Sequence, residues 1–177
     1  DEGTIYYKSK DITHLAPWTI FAMGIGRLFQ DIRIFEQLTA LDNVMVAFRN
    51  QIGENAFVSL FAPWKLAKQE NLSRRKASEI LDFVTIADKA DDLAENLSYG
   101  QQKLLAIARL VAADTDLLLL DEPTAGINPE RIASILDLIK RLKQSGKTII
   151  LIEHNMSVVF QIADWVYYID DGQVVRT

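Results

Sequence analysis

Apolar residues along the chain follow two kinds of pattern. Leu117-Leu118-Leu119-Leu120 runs without a polar break into Asp121-Glu122-Pro123, and Thr148-Ile149-Ile150-Leu151-Ile152 runs in the same way into Glu153-His154. Unbroken apolar runs of this length predict strands covered on both faces, as in a parallel sheet. Trp165 to Asp170 predicts a third strand, and Asp171-Gly172 turns it back into a hairpin with Gln173 to Arg176. Between these runs the spacing becomes helical. Ile132, Ile135, Leu136, Ile139 and Leu142 form one stripe, opened by Asn128 and Pro129 and stopped by Gly146. Leu104, Ile107, Ala108 and Val111 form a second stripe ahead of the Leu-rich run. Alternation of strand and helix predicts an α/β sheet with right-handed crossovers. The N-terminal half is less regular. It predicts a short strand within Thr4 to Lys8, a helix through Leu41, Val44, Met45 and Phe48 capped by Thr39, and another through Ile80, Leu81 and Val84.

Composition adds limits. With 177 residues, 49% of them apolar and 24% charged, the chain is neither disordered nor fibrous. A domain of this size buries roughly 70% of its unfolded surface. Nineteen Lys+Arg against 24 Asp+Glu give a net charge of −5, which argues against nucleic acid as a partner, because phosphate backbones select basic surfaces. The absence of cysteine excludes disulfides, thiolate metal sites and cysteine nucleophiles. The longest uncharged stretch, Ile12 to Gly26, is broken by Pro17 and too short to span a bilayer, and Asp-Glu-Gly at the start is unlike a signal peptide. The expected compartment is cytoplasmic. Charge is also unevenly spread. Residues 49–76 carry six basic and two acidic side chains, net +4, leaving −9 on the rest, which marks a mostly helical subdomain.

Two segments carry candidate chemistry. Asp121-Glu122 stands at the carboxyl end of a predicted strand, where ligands bind in open α/β sheets. One carboxylate there can hold Mg²⁺ while its neighbour activates water; a solvated strand end is the alternative. In Leu97-Ser98-Tyr99-Gly100-Gln101-Gln102, Ser98 and Gln101 fit a capping box. A helix start with free N–H groups and Gly100 suits a phosphate; an ordinary capped helix is the alternative.

Together these segments resemble the ATPase subunit of an ABC transporter. Other pieces follow in that family's order. Gln30 in Gly26-Arg27-Leu28-Phe29-Gln30 matches the Q-loop glutamine, Ala125-Gly126-Ile127-Asn128-Pro129 the D-loop, and His154 the switch histidine. Tyr99 in place of a common Gly, and Asn128 in place of a common Asp, resemble the branched-chain amino-acid uptake branch. The resemblance implies an α/β fold of P-loop NTPase (RecA-like) type with a helical subdomain, and ATP and Mg²⁺ as cofactors. It implies Asp121 as the Mg²⁺ ligand, with Gln30 sensing the metal, and Glu122, His154 and Gln30 as catalytic. Leu97, Ser98, Tyr99, Gly100, Gln101, Gln102 and Asn128 would meet the nucleotide held by a second ATPase subunit, so two subunits sandwich ATP head to tail. Further implied partners are transmembrane permease subunits and, indirectly, an extracytoplasmic solute-binding protein. The place implied is the cytoplasmic face of the membrane.

The family's Gly-x-x-x-x-Gly-Lys-Ser/Thr loop does not occur in these residues. Gly146-Lys147-Thr148 has Arg141 where the first glycine belongs, and it leads into a predicted strand rather than a helix. The expected division is therefore residues 1–35 as a remnant of the N-terminal core with the Q-loop, 36–97 as the helical subdomain, and 98–177 as the signature helix with the C-terminal core. The front strand and helix of the P-loop are expected to be missing, and these residues alone are expected not to hydrolyse ATP. By resemblance the P-loop strand would lie between the Thr148 and Trp165 strands. Residues 49–76, with Phe57, Phe61 and Trp64 among their cations, suggest a face toward membrane subunits or a solvated charged face. Rival readings are a non-transport ABC ATPase and a non-catalytic fragment.

Overall fold

The computed structural model describes residues 3–49 and 63–176. Its centre is a parallel sheet of three strands: β3 (Ile25–Leu28), β4 (Leu117–Asp121) and β5 (Thr148–Ile152), in the order β3-β4-β5. Ile25 lies opposite Leu117, and Leu117 opposite Thr148, so all three strands end on one edge with Asp121 beside Ile152. Ahead of β3 stand a small hairpin, β1 (Tyr6–Tyr7) with β2 (Lys10–Asp11), and helix α1 (Pro17–Ala22). Lys8 and Ser9 make the hairpin turn with φ of 47° and 63°, the left-handed pair that matches strand twist.

Helices supply the covering layer. Thr39 caps α2 (Ala40–Met45), accepting the Asp42 N–H at 3.0 Å. Next come α3 (Pro63–Phe83), α4 (Tyr99–Ala112), α5 (Pro129–Gln144) and α6 (Met156–Ile162). Ser98 caps α4 in a capping box, its hydroxyl taking the Gln101 N–H while the Gln101 side chain takes the Ser98 N–H at 2.9 Å. Gly146 closes α5 at φ 87°, a conformation costly for side chains with Cβ. One apolar cluster runs through both layers. Leu118 and Leu120 on β4 are buried against it together with Leu105 and Ile107 of α4 and Ile135 and Leu142 of α5; Val44, Ala77, Leu81 and Val84 extend it through α2 and α3. Arg74, Arg75 and Lys76 stand exposed on α3, whereas Phe57 and Phe61 lie outside the described residues.

Three expectations change. The Thr148–Ile152 run is a strand, but it is not covered on both faces. Ile149 and Leu151 pack on the core, while Ile150 and Ile152, on the opposite face, are 53% and 60% exposed; among the described residues β5 pairs only with β4. The third predicted strand forms the expected hairpin, but outside the parallel sheet. It is β6 (Tyr167–Asp170), which pairs antiparallel with β7 (Gln173–Arg176) in a separate, exposed hairpin. Thirdly, β3 lies where no strand was expected. Gly24 and Gly26 weaken its strand signal, yet a Cβ on Gly26 would lie 2.9 Å from the Thr115 side chain and 3.0 Å from Leu110. The close approach of the chain between α4 and β4 makes glycine fit there.

Asn43, fully buried on α2, ties the segment after β3 to the helices. Its carbonyl accepts the Phe35 N–H at 2.9 Å, and its amide donates to the carbonyls of Phe35 (2.9 Å), Thr39 (3.0 Å) and Leu38 (3.3 Å). Arg109 of α4 adds a hydrogen bond to the Arg33 carbonyl and stacks over Phe35 at 4.7 Å. Asn43→Ala is expected to lower stability by about 2–3 kcal/mol, since it strands buried backbone groups; urea unfolding measures it, and a loss under 1 kcal/mol contradicts this account.

Candidate functional site

The carboxyl ends of β3, β4 and β5 gather the three expected catalytic residues and Asp121. Gln30 follows β3, Asp121 ends β4, Glu122 follows it, and His154 follows β5. The Gln30 amide donates to Glu122 Oε2 at 3.2 Å, and His154 Nδ1 lies 3.5 Å from Glu122 Oε1. Two side chains, Gln30 and His154, thus converge on the Glu122 carboxylate, itself 29% exposed, with His154 open to solvent. Asp121 is engaged separately. Arg27 of β3 donates to its Oδ2 at 3.0 Å and lies 4.7 Å over the Phe29 ring.

Glu122 has φ 45°, and its N–H donates to the Ile152 carbonyl at 2.9 Å. The left-handed backbone turns the chain sharply off the sheet. A non-glycine residue held there is strained, a feature that clusters at functional sites. The turn continues through Thr124, whose N–H and hydroxyl both donate to Glu153 Oε1, at 3.1 Å and 2.5 Å. Gly126 follows at φ 71°, with the Tyr99 ring 3.0 Å from where its Cβ would be.

The segment Leu97 to Gln102 is brought against this turn, not against Gln30 or His154. Tyr99 packs on Gly126, and Gly100 faces Arg131 and Ile127, each with an atom 3.8 Å from where a Cβ on Gly100 would lie. Leu97 is buried, and the Gln102 amide donates to the Ala94 carbonyl at 3.2 Å. Asn128 precedes α5, its carbonyl accepting the Arg131 N–H at 2.8 Å. A cleft of about 290 Å³ opens beside these segments, between Thr85, Gly100, Gln101, Ile127 and Arg131. Gln30, Glu122 and His154 are absent from its lining.

Four participants escaped the sequence reading: Arg27, Lys103, Thr124 and Glu153. Lys103 donates to the carbonyls of Glu122 at 2.8 Å and Ala125 at 2.7 Å. Burial pushes its ammonium below the usual lysine range, while the carboxylates of Glu153 and Glu122 pull it back. Only a lysine one turn into a capped helix hinted at this, and lysines there are ordinarily solvated. Among the described residues no group of three His, Cys, Asp or Glu side chains forms a metal centre. Asp121 and Gln30 still offer oxygen donors of the kind Mg²⁺ takes when phosphates and water complete its shell.

Comparison with known proteins identifies the family of this fold. A family model described as ABC transporter matches residues 1–125. The probable branched-chain amino acid transport ATP-binding protein of Archaeoglobus fulgidus is 37% identical over 175 residues, covering 99% of this chain and 67% of the relative. The high-affinity branched-chain amino acid transport ATP-binding protein of Escherichia coli K12 is 33% identical over 171 residues, covering 96% of this chain and 67% of the relative. A nucleotide-free ATP-binding cassette from an ABC transporter superposes with a TM-score of 0.78 at 32% identity, over 99% of this chain and 68% of that one. A dimeric cassette bound to ADP and Pi superposes with a TM-score of 0.77 at 26% identity, over 99% and 72%. Among the described residues no helix is long and apolar enough to cross a membrane. Fold and sequence agree that the chain belongs to the ABC transporter family, as an ATP-binding cassette that resembles the ATPases of branched-chain amino acid transport.

Proposed function

We propose that this chain is the hydrolytic part of an ABC importer ATPase that drives uptake of branched-chain or similar amino acids. The observation that carries the reading is the Glu122 carboxylate held between Gln30 and His154 at the sheet's carboxyl edge. Similarity to branched-chain transport ATPases over nearly the whole chain supports the solute class.

In this reading Glu122 orients the attacking water and accepts its proton, with the Gln30 amide fixing one carboxylate oxygen. His154, exposed beside the other oxygen, contacts the γ-phosphate. Asp121 and Gln30 would hold Mg²⁺, and the chemistry the ion would supply there is neutralisation of charge on the phosphates. Arg27 must leave Asp121 Oδ2 for that oxygen to serve as a ligand. Leu97 to Gln102 and Asn128 face ATP bound by a second ATPase subunit. The helical arm, residues 36–97, turns the exposed cations of α3 toward the permease on the cytoplasmic face of the membrane. A solute-binding protein acts only through that permease. Nucleotide grip comes from a P-loop segment that these residues do not contain, and alone they do not hydrolyse ATP.

The reading is tested by coexpression with branched-chain amino-acid permease subunits, using a hybrid in which the P-loop segment of the A. fulgidus relative precedes residues 1–177. The hybrid is expected to copurify with the permease and to support ATP-dependent leucine uptake. ATP hydrolysis without permease binding or uptake points to a non-transport ATPase and overturns the reading.

A further inference from the structure

Among the described residues Lys103 is the largest fully buried side chain, at 1% exposed. A buried ammonium is costly unless its protons are taken up. Here two carbonyls of one turn take two of the three, Glu122 at 2.8 Å and Ala125 at 2.7 Å, and the Tyr99 ring lies 5.1 Å away. The same turn is gripped from β5, where Glu153 accepts from both the N–H and the hydroxyl of Thr124. Between these two grips stands Glu122 with its left-handed backbone.

We propose that Lys103 is a positioning residue for Glu122. Its cation neutralises the carbonyl dipoles that crowd together when Glu122 and Ala125 face the same point, and so holds the strained turn that aims the Glu122 side chain at Gln30 and His154. Because Lys103 belongs to the first turns of α4, it also ties the Leu97–Gln102 segment to that carboxylate. A shift of α4 therefore moves the Glu122 backbone. This inference rests on the reading of Glu122 as the water-activating group.

Two arms test it. In the 177-residue chain, Lys103→Met removes the donors while keeping an unbranched apolar stem. Its amides at Glu122 and at residues 124–127 are expected to exchange with deuterium at least about tenfold faster, with the β3 and α3 amides unchanged. In the hybrid carrying the relative's P-loop segment, Lys103→Met is expected to lower kcat about a hundredfold while KM for ATP stays within about threefold. Lys103→Arg, which keeps the charge, is expected to recover part of kcat. Wild-type exchange and wild-type kcat in Lys103→Met overturn the proposal. Exchange that rises throughout the chain also overturns it, since the lysine then supports the whole fold. If the unsubstituted hybrid hydrolyses no ATP, or Glu122→Gln keeps full activity, the reading of Glu122 fails, and the exchange arm still decides whether Lys103 holds the turn.

Discussion

Glu122→Gln in the hybrid subunit is expected to cut ATP turnover at least about a hundredfold, the typical contribution of a positioned general base, while nucleotide affinity stays within a few-fold. The substitution is nearly isosteric. A glutamine carbonyl can still accept from the Gln30 amide that now donates to Oε2 at 3.2 Å, and the Lys103 and Ile152 contacts are to backbone atoms that do not change. Position is preserved and only proton-accepting capacity is lost. His154→Ala is expected to cost less, about tenfold to a hundredfold, because its exposed ring meets Glu122 only at 3.5 Å. The chain without the P-loop segment is expected to show no turnover with either residue at position 122. Gly146-Lys147-Thr148 cannot replace that segment. Gly146 ends α5, Lys147 pairs with Asp114 at 3.1 Å, and Thr148 starts β5 opposite Leu117. Steady-state phosphate release checks all of these outcomes, and near-normal turnover by Glu122→Gln means that another group takes the proton.

The sequence made the frame legible where one periodicity ran unbroken. The Leu-rich strand, the α4 and α5 stripes, the Ser98 capping box, the Gly146 stop and the β6–β7 hairpin all stand as read. These features depend on neighbours a few residues apart. What depended on distant partners was not legible. The strand β3 contains Gly26, whose fit is decided by Thr115 and Leu110, nearly ninety positions away. Lys103 looks like any solvated lysine until the Glu122–Ala125 turn folds over it. Glu153 reads as a polar strand end until Thr124 meets it. The carboxylate pair Asp121-Glu122 was legible as chemistry, but its immediate partners divide in a way the dipeptide did not foretell: Arg27 takes the first and Gln30 the second.

The exposed apolar strands carry the second large effect: the 177-residue chain alone is expected to self-associate at micromolar concentration. Ile150 and Ile152 on β5 are more than half exposed, and so are Tyr167, Tyr168 and Ile169 on β6 and Val174 on β7, with Trp165 just before them at 80%. Water-facing Ile, Val and Tyr in such number belong to surfaces that are covered in use. Strands with unpaired edges add directional hydrogen bonding to that stickiness. We propose that the P-loop strand seats between β5 and β6 and pairs the free edge of β5, while the helix that follows it packs on the face of Ile150 and Ile152. Light scattering is then expected to show concentration-dependent oligomers with dye-binding apolar surface for the chain alone, and a smaller, less dye-binding species for the hybrid. Ile150→Lys with Ile152→Lys is expected to reduce self-association of the chain, yet to destabilise the hybrid by several kcal/mol, because the same two positions would then bury charge. A chain that stays monomeric and binds no dye, together with a hybrid indifferent to the two lysines, places the P-loop strand elsewhere and leaves β5 a true edge.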